Sequence, residues 1–294
     1  MRLSDKRYAA LLITPAALFL LAFVGQPIIR LIVDSLYDIA PLNGTRDFVG
    51  LQNYVHALSD ATFREASVRT VVYTVGVVAA EFVLGLGTAL LFSALGKRSQ
   101  LFRTAFLYPL MIAPVVAGLL WRFLLIDNSG IVGAILTRVG ILSDPNAIGW
   151  LSDPSLVLFS VSIPDIWLTT AFMTLVLFAG LQNISGELLE AARLDGAGFW
   201  RMLWSVILPL LRPVIAVALI VRGIDAAKAF DIILVQTGGG PQNASTTMSL
   251  LIYRTMIRFG EPGLASAMAA MFLVAMLAVA VVAVRTIWRP GSDL

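Results

Sequence analysis

Apolar residues run along this chain in long unbroken stretches, not in the alternation of half-buried strands. Six runs reach the roughly 20 residues a helix needs to cross a bilayer: Ala9–Val33, Val71–Leu95, Phe102–Ile126, Leu156–Leu181, Val206–Val235 and Leu264–Val284. They predict an all-α polytopic membrane protein. The short alternating segments of an outer-membrane barrel are missing, so strands are not expected. A further stretch, Ile131–Leu142, carries Arg138 and is too short to span. With Trp150 it suits the outer membrane–water interface. Turn chemistry falls between spans at Pro41-Leu42-Asn43-Gly44 and Asp127-Asn128-Ser129-Gly130.

The first run follows Arg2, Lys6 and Arg7, as a signal peptide would. It exceeds the roughly 7–15 residues of a signal h-region and meets no small-x-small cleavage pattern before Asp34, so an uncleaved helix is expected. Prolines interrupt the spans at Pro15, Pro27, Pro109, Pro114, Pro164, Pro209 and Pro213. Neighbouring helices can re-satisfy the backbone groups they free. Two readings stand: kinks that serve packing, and broken helices around a cavity of the kind transporters use.

Composition narrows the class. The chain of 294 residues is 59% hydrophobic and 13% charged, with mean hydropathy +0.88. A soluble domain has about 45–50% apolar and about 25% charged residues. This excludes an ordinary soluble enzyme, a disordered chain and a disulfide-built domain. There is no Cys and a single His, His56, so zinc-thiolate, Fe–S and His-rich metal sites are not expected. A net charge of +3 gives no reason to expect a nucleic-acid partner.

Basic residues near the span ends set orientation. One side carries Arg2, Lys6, Arg7, Lys97, Arg98, Arg103, Arg193, Arg201, Arg285 and Arg289 in short segments. The other carries Arg46, Arg64, Arg69, Arg138, Arg254 and Arg258, spread over longer loops. Both termini are therefore expected in the cytoplasm.

Charges also lie inside the spans. Arg222, Asp225, Lys228 and Asp231 follow one another at three-residue steps in the fifth run. On one continuous helix adjacent members would sit side by side with alternating sign, drifting over roughly 180° of its face. A charge at the bilayer midplane costs at least about 2.5 kcal/mol, so four cannot face lipid. Either they form a self-neutralising structural ladder or they line a polar translocation path. Glu81 in the second run reads as a structural partner. Asp165 and Trp167 in the fourth read either as an interface anchor or as an acceptor and aromatic plane for a sugar. Arg30 and Arg122 can snorkel to the span ends.

The segment between the fourth and fifth runs is too polar for lipid. Ser185 can cap a helix with Glu187 in its first turn. Leu188, Leu189 and Ala192 give it an apolar stripe, and Gly196 can stop it. A second helix can run from Ala197 through Trp204 before Pro209. Within it, Glu190-Ala191-Ala192, then Asp195-Gly196-Ala197, Trp200 and Leu208-Pro209 resemble the EAA loop of permease subunits in binding-protein-dependent ABC importers. Leu203, Val206 and Gly198 stand where that pattern usually has Phe, Ile and Ser. Gly149-Trp150-Leu151-Ser152-Asp153-Pro154 is similar to the entry of the fourth span in carbohydrate permeases. Thr237-Gly238-Gly239-Gly240-Pro241, with Thr246 and Tyr253, is similar to an outer loop of the maltose- and glycerol-phosphate-type subfamily, in its first-permease form.

The resemblance implies a single permease domain over 1–294, with a core at about 67–288 and the loop at 182–209. It implies a path for a sugar, oligosaccharide, polyol or sugar phosphate, opened by ATP-driven alternating access. Glu190, Ala191, Ala192, Asp195, Gly196 and Ala197 would couple to an ATPase. Related permeases carry charges like those of the fifth run, which supports Arg222, Asp225, Lys228 and Asp231 as path residues; Asp165 and Trp167 of the fourth run are further candidates. The implied partners are two ATP-binding subunits, a second homologous permease, an extracytoplasmic solute-binding protein and membrane lipid, in a bacterial inner membrane. This chain has no P-loop of its own: Gly96-Lys97 continues into Arg98, and no Lys follows Thr237–Pro241. It is therefore expected to bind no cofactor and to catalyse nothing, with ATP and Mg held by the ATPases. The rival reading is an ion-coupled secondary transporter, against which the EAA-like loop and the lack of an inverted repeat both argue.

Overall fold

The computed structural model describes residues 5–41 and 44–287. The turn residues Leu42 and Asn43, and the basic residues Arg2 and Arg289 used for orientation, lie outside them. Along the chain come α1 (Asp5–Leu20), α2 (Gln26–Asp34), the strands β1 (Tyr37–Ala40) and β2 (Thr45–Phe48), α3 (Gln52–Ser59) and α4 (Ala61–Leu95). Next are α5 (Gln100–Leu107), α6 (Pro114–Leu125), α7 (Ile131–Arg138), α8 (Val157–Gln182), α9 (Gly186–Leu194) and α10 (Phe199–Met202). Then follow α11 (Leu208–Ala227), α12 (Asp231–Gln236), α13 (Met248–Ile257) and α14 (Pro262–Ile287). Five helical stretches are long and apolar enough to cross a membrane, and a sixth arises if the bent pair α5–α6 is one span.

The prolines act differently from place to place. Pro27 and Pro209 have no N–H to return to the preceding turn. Just ahead of each, the helix widens into a π turn, Leu21–Gly25 and Leu203–Ile207. Gln26 N–H then reaches Leu21 O, and Leu208 N–H reaches Leu203 O. The spans continue through these points, as π-bulges allow. Pro109 and Pro114 break their span. Ile112 and Ala113 are extended (ψ 133° and 136°), as a residue before proline prefers, and the two halves meet at 95°. Of the two readings of its prolines, the third expected span, Phe102–Ile126, takes the broken one: it is a bent pair.

The chain forms two compact units, 1–64 with 251–275, and 65–250 with 276–294. In the first, β1 and β2 pair antiparallel, Tyr37 opposite Phe48 and Ala40 opposite Thr45. The expectation of no strands is corrected here by this short antiparallel pair. Tyr37 holds it from one face, edge-on to Phe48 and under the Arg46 guanidinium. Asn53 Nδ2 donates to Ser35 O and Tyr37 O, at 3.0 and 2.9 Å, which anchors α3 to the hairpin base.

In the second unit α8 is the centre. The turn leading into it is set by Asp153, whose Oδ1 accepts from the Ser155 N–H and hydroxyl; those donors hold the carboxyl below its ordinary value. One apolar cluster joins Ala89 of α4, Met173 and Leu177 of α8, and Leu211 and Ala218 of α11. A second joins Tyr73, Val77, Val157, Val161, Ala226 and Ile233. Small residues let the helices close up, as in other membrane bundles. A Cβ on Gly85 would lie 2.7 Å from Met173 Cγ, one on Gly180 2.8 Å from Leu211 Cδ2, and one on Gly118 2.5 Å from Val235 Cγ2.

Candidate functional site

Two regions of the second unit carry the chemistry. The first is a buried charge cluster joining α4, α8 and α11. Arg222 donates from Nε to Glu81 Oε2 and from Nη2 to Glu81 Oε1, both at 2.7 Å. Nη2 also approaches Asp165 Oδ1 at 3.3 Å, and Nη1 donates to Asp225 Oδ2 at 2.6 Å. Tyr73 donates its hydroxyl to Asp165 Oδ2 at 3.0 Å, and the Thr169 hydroxyl donates to Glu81 Oε1. Glu81, Asp165, Arg222 and Tyr73 are all buried, whereas the Asp225 side chain is 63% exposed. One guanidinium thus meets three carboxylates, and two hydroxyls add neutral donors to an arrangement with excess negative charge. Such a network is stable in an apolar interior only while every charge keeps its partners.

The continuous ladder expected on the fifth run is corrected by this geometry. The span ends at Ala227, Lys228 caps it, and Asp231 begins the separate short helix α12. Thr247 Oγ1 donates to Ala229 O at 3.2 Å and satisfies a carbonyl freed by the break. Among the described residues no ion pair joins Asp225 to Lys228; Asp225 turns to Arg222 instead. Asp225, Lys228 and Asp231 are exposed on the surface of this chain, while Arg222 and Asp165 are interior. Glu81 has the structural partner expected of it.

Asp165 and Trp167 do not share a face. Two residues apart on a helix, they face about 200° away from each other. Asp165 is occupied by Tyr73 and Arg222, and Trp167 packs edge-on against Trp121 with centroids 6.0 Å apart. Nothing in the sequence analysis points to Tyr73 or Thr169. Thr169 stands one turn after Asp165 on the same face, a signal that was available. Tyr73 is brought in by tertiary packing alone.

The second region is the loop after α8. Ser185 Oγ accepts the Leu188 N–H at 3.4 Å and caps α9. At the other end Gly196 takes φ +77°, a left-handed conformation that suits glycine. Gly196 N–H bonds Arg193 O and Ala197 N–H bonds Ala192 O, each at 3.0 Å, the pairing of a Schellman cap. Leu189 and Ala192 turn inward against the Met173–Leu211 cluster. Glu190, Ala191, Asp195 and Gly196 face outward, and Ala197 is half-buried. Leu188 belongs with the outward group, so only part of the expected apolar stripe packs on the core. The second helix is shorter than expected: α10 covers Phe199–Met202 before the π turn. Leu194, Phe199, Trp200 and Trp204 extend the outward surface with large exposed apolar groups. The capped turn thus displays carboxylates beside large exposed apolar side chains.

Residues 81–288 match the family described as the binding-protein-dependent transport system inner membrane component. The chain is 35% identical over 278 residues to the trehalose/maltose transport system permease protein MalF of Thermococcus litoralis, across 95% of this chain and 92% of that one. It is 35% identical over 281 residues to the sulfoquinovosyl glycerol transport system permease protein SmoG of Agrobacterium fabrum, across 95% and 90%. It is 37% identical over 268 residues to the trehalose transport system permease protein SugA of Mycobacterium tuberculosis, across 90% and 84%. In fold it is similar to a chain of the crystal structure of a bacterial ABC transporter involved in the import of the acidic polysaccharide alginate. That match has TM-score 0.81 and 22% identity, over 98% of this chain and 97% of that one. The capped EAA-bearing loop, the apolar spans and these likenesses agree: the chain belongs to the binding-protein-dependent transport system inner membrane components, and is a multi-pass transport subunit rather than an enzyme.

Proposed function

We propose that this chain is the first of two unlike permeases in an ATP-driven importer of a carbohydrate-class solute: a sugar, oligosaccharide, polyol or sugar phosphate. The observation that carries the proposal is the loop Glu190–Ala197, whose EAA residues sit on a capped, outward-facing turn fixed to the core of α8 and α11. Permeases named for trehalose, maltose and sulfoquinovosyl glycerol among the relatives support the substrate class. In this reading Glu190 pairs with a basic group on a cytoplasmic ATPase while Ala191 permits close approach. Asp195, Gly196 and Ala197 hold the turn that returns the chain to the membrane. Two ATPases bind ATP and Mg, and their closure moves the turn as a rigid body together with the spans behind it.

An extracytoplasmic binding protein delivers solute to the opposite face. Both termini lie in the cytoplasm, and the permease core spans about 67–288. Asp225, with Lys228 and Asp231 close by in sequence, offers exposed charged groups for solute hydroxyls along the path. Arg222 holds the Asp225 carboxylate by a 2.6 Å bond. Affinity purification of the tagged chain from its native membrane tests the assembly. Recovery of an ATP-binding subunit and a second permease in equal amounts is expected. Recovery of the chain alone, still active in uptake, would overturn the reading.

A further inference from the structure

Within the buried charge cluster Asp225 alone is exposed, while Tyr73, Glu81, Asp165 and Arg222 are buried. Whatever touches the Asp225 carboxylate therefore acts on the interior through one bond, the 2.6 Å contact from Arg222 Nη1. The guanidinium is shared unequally. Glu81 takes two bonds of 2.7 Å, whereas Asp165 Oδ1 lies 3.3 Å from Nη2. Tyr73 steadies Asp165 through its other oxygen, Oδ2, at 3.0 Å. Arg222 is thus held between Asp225 and Asp165, and its position favours Asp225. A solute hydroxyl that donates to Asp225 offsets part of the carboxylate's charge and weakens its hold on Nη1. The guanidinium is then free to settle onto Asp165.

Among the described residues, Arg222–Asp165 is the one ion pair that joins α8 to α11. These are the two helices that carry the loop. From Asp165 to its end at Gln182, α8 runs about 26 Å, and α11 runs about 21 Å from Leu208 to Arg222, by the helical rise. The loop closes their other ends, with Leu189 and Ala192 set against Met173, Leu177 and Leu211. Between the two ends the packing is close: a Cβ on Gly180 would lie 2.8 Å from Leu211 Cδ2 and 3.0 Å from Val214 Cγ1. Helices in such contact shift as whole bodies, because a dense interface does not deform by degrees. A change in the Arg222–Asp165 contact is therefore carried to the loop.

We propose that Arg222 relays solute occupancy: solute at Asp225 tightens Arg222 on Asp165, and the shift of α8 against α11 sets the loop Glu190–Ala197 for the ATPase. Tyr73 is a positioning residue that holds Asp165 within reach of the guanidinium. This relay rests on the transport reading and adds the route of the signal from solute to ATPase. The test uses the full complex in proteoliposomes with its binding protein. The probe is whichever of trehalose, maltose and glycerol 3-phosphate most stimulates ATP hydrolysis by the wild type. In Tyr73→Phe, which deletes one hydroxyl, the ratio of solute-stimulated to basal hydrolysis should fall about fivefold, within the ordinary range of coupling between sites. A loss of packing alone would lower both rates together and leave the ratio unchanged.

A second measurement needs no change in the cluster. Leu175 of α8 and Leu210 of α11 are both exposed toward the loop end, and the chain has no native Cys. Spin labels on Leu175→Cys and Leu210→Cys report the spacing of the two helices. Solute-loaded binding protein without ATP should shift that spacing by about 1–2 Å, the scale of helix shifts in switching proteins, and Asp225→Asn should abolish the shift. If Tyr73→Phe fails to assemble, the spacing decides. An unchanged ratio in Tyr73→Phe, or a spacing that solute does not move, would overturn the relay and leave ATP-driven uptake standing. A wild type stimulated by none of the three probes would count against the transport reading, and the relay would fall with it.

Discussion

Arg222 and Glu81, 141 residues apart, form a two-bond pair in which Nε and Nη2 each meet one carboxylate oxygen at 2.7 Å. Neither residue is accessible, so the pair is a fastener between α4 and α11, with Asp165 drawing α8 into it. Removing one side strands the other, which costs about 3–5 kcal/mol in a buried setting. Arg222→Met and Glu81→Leu should each sharply lower the thermal midpoint of the detergent-solubilised chain. Arg222→Lys should not rescue it, because a lysine cannot make the two-bond fork. A midpoint unchanged in Glu81→Leu would mean the pair does not hold the helices.

Asp225 and Lys228 are expected to act independently. Asp225→Asn should assemble normally, since its side chain is mostly exposed, and should transport poorly if it meets solute. Adding Lys228→Met should neither restore uptake nor change stability beyond the sum of the single effects, to within about 0.5 kcal/mol. Uptake restored to near the wild-type rate in the double variant would show that the two charges neutralise each other after all.

Two of the three glycines of α4, at 85 and 87, separate packing from propensity. Gly85→Ala places a methyl against Met173 Cβ and the Thr174 backbone, at 2.9 and 3.1 Å, and should destabilise by about 1–3 kcal/mol. Gly87 has nothing within 4 Å, and Gly87→Ala should be neutral or stabilising by up to about 1 kcal/mol. Thermal midpoints of the two variants compare them directly, and equal effects would contradict the close approach of α4 and α8.

Engineered single cysteines read the orientation without interference from native ones. Leu194→Cys should react with an impermeant maleimide only from the cytoplasmic side, and Asp47→Cys only from outside. Leu194 is 89% exposed, so access does not limit the reaction. The opposite sidedness would reverse the orientation drawn from the basic residues.

Most of the fold is legible in the sequence because a span must be apolar for about 20 residues, whatever it packs against. The breaks are harder to read, since apolarity continues through them. Ile112 and Ala113 carry no polar mark; Pro109 and Pro114 were the signal, and packing decided that this pair breaks while Pro15, Pro164 and Pro213 sit inside continuous helices. The hairpin at Tyr37–Phe48 had its signal in the turn and the flanking aromatic residues, outweighed by the helical character of everything around it. In the loop, Ser185 and Gly196 acted as local chemistry requires, so both ends of α9 could be read directly. The charge cluster could not be. Local spacing favours Asp225 with Lys228, but the observed partners of Arg222 include Glu81 and Asp165, and only the folded chain brings them together.

In the proposed function the loop Glu190–Ala197 couples ATP hydrolysis by partner subunits to movement of a carbohydrate-class solute. Its most direct test is uptake of a panel of radiolabelled disaccharides, polyols and sugar phosphates into proteoliposomes holding the full complex, with binding protein outside and ATP inside. ATP hydrolysis should be followed in parallel. Gly196→Pro removes the N–H bonded to Arg193 and fixes a negative φ where +77° is needed, and Glu190→Lys inverts a contact charge. The account predicts ATP-dependent uptake of one panel member by the wild type. Both variants should remain in the membrane while losing uptake and solute-stimulated hydrolysis together. Uptake that needs an ion gradient instead of ATP, or two variants that transport at the wild-type rate, would contradict it.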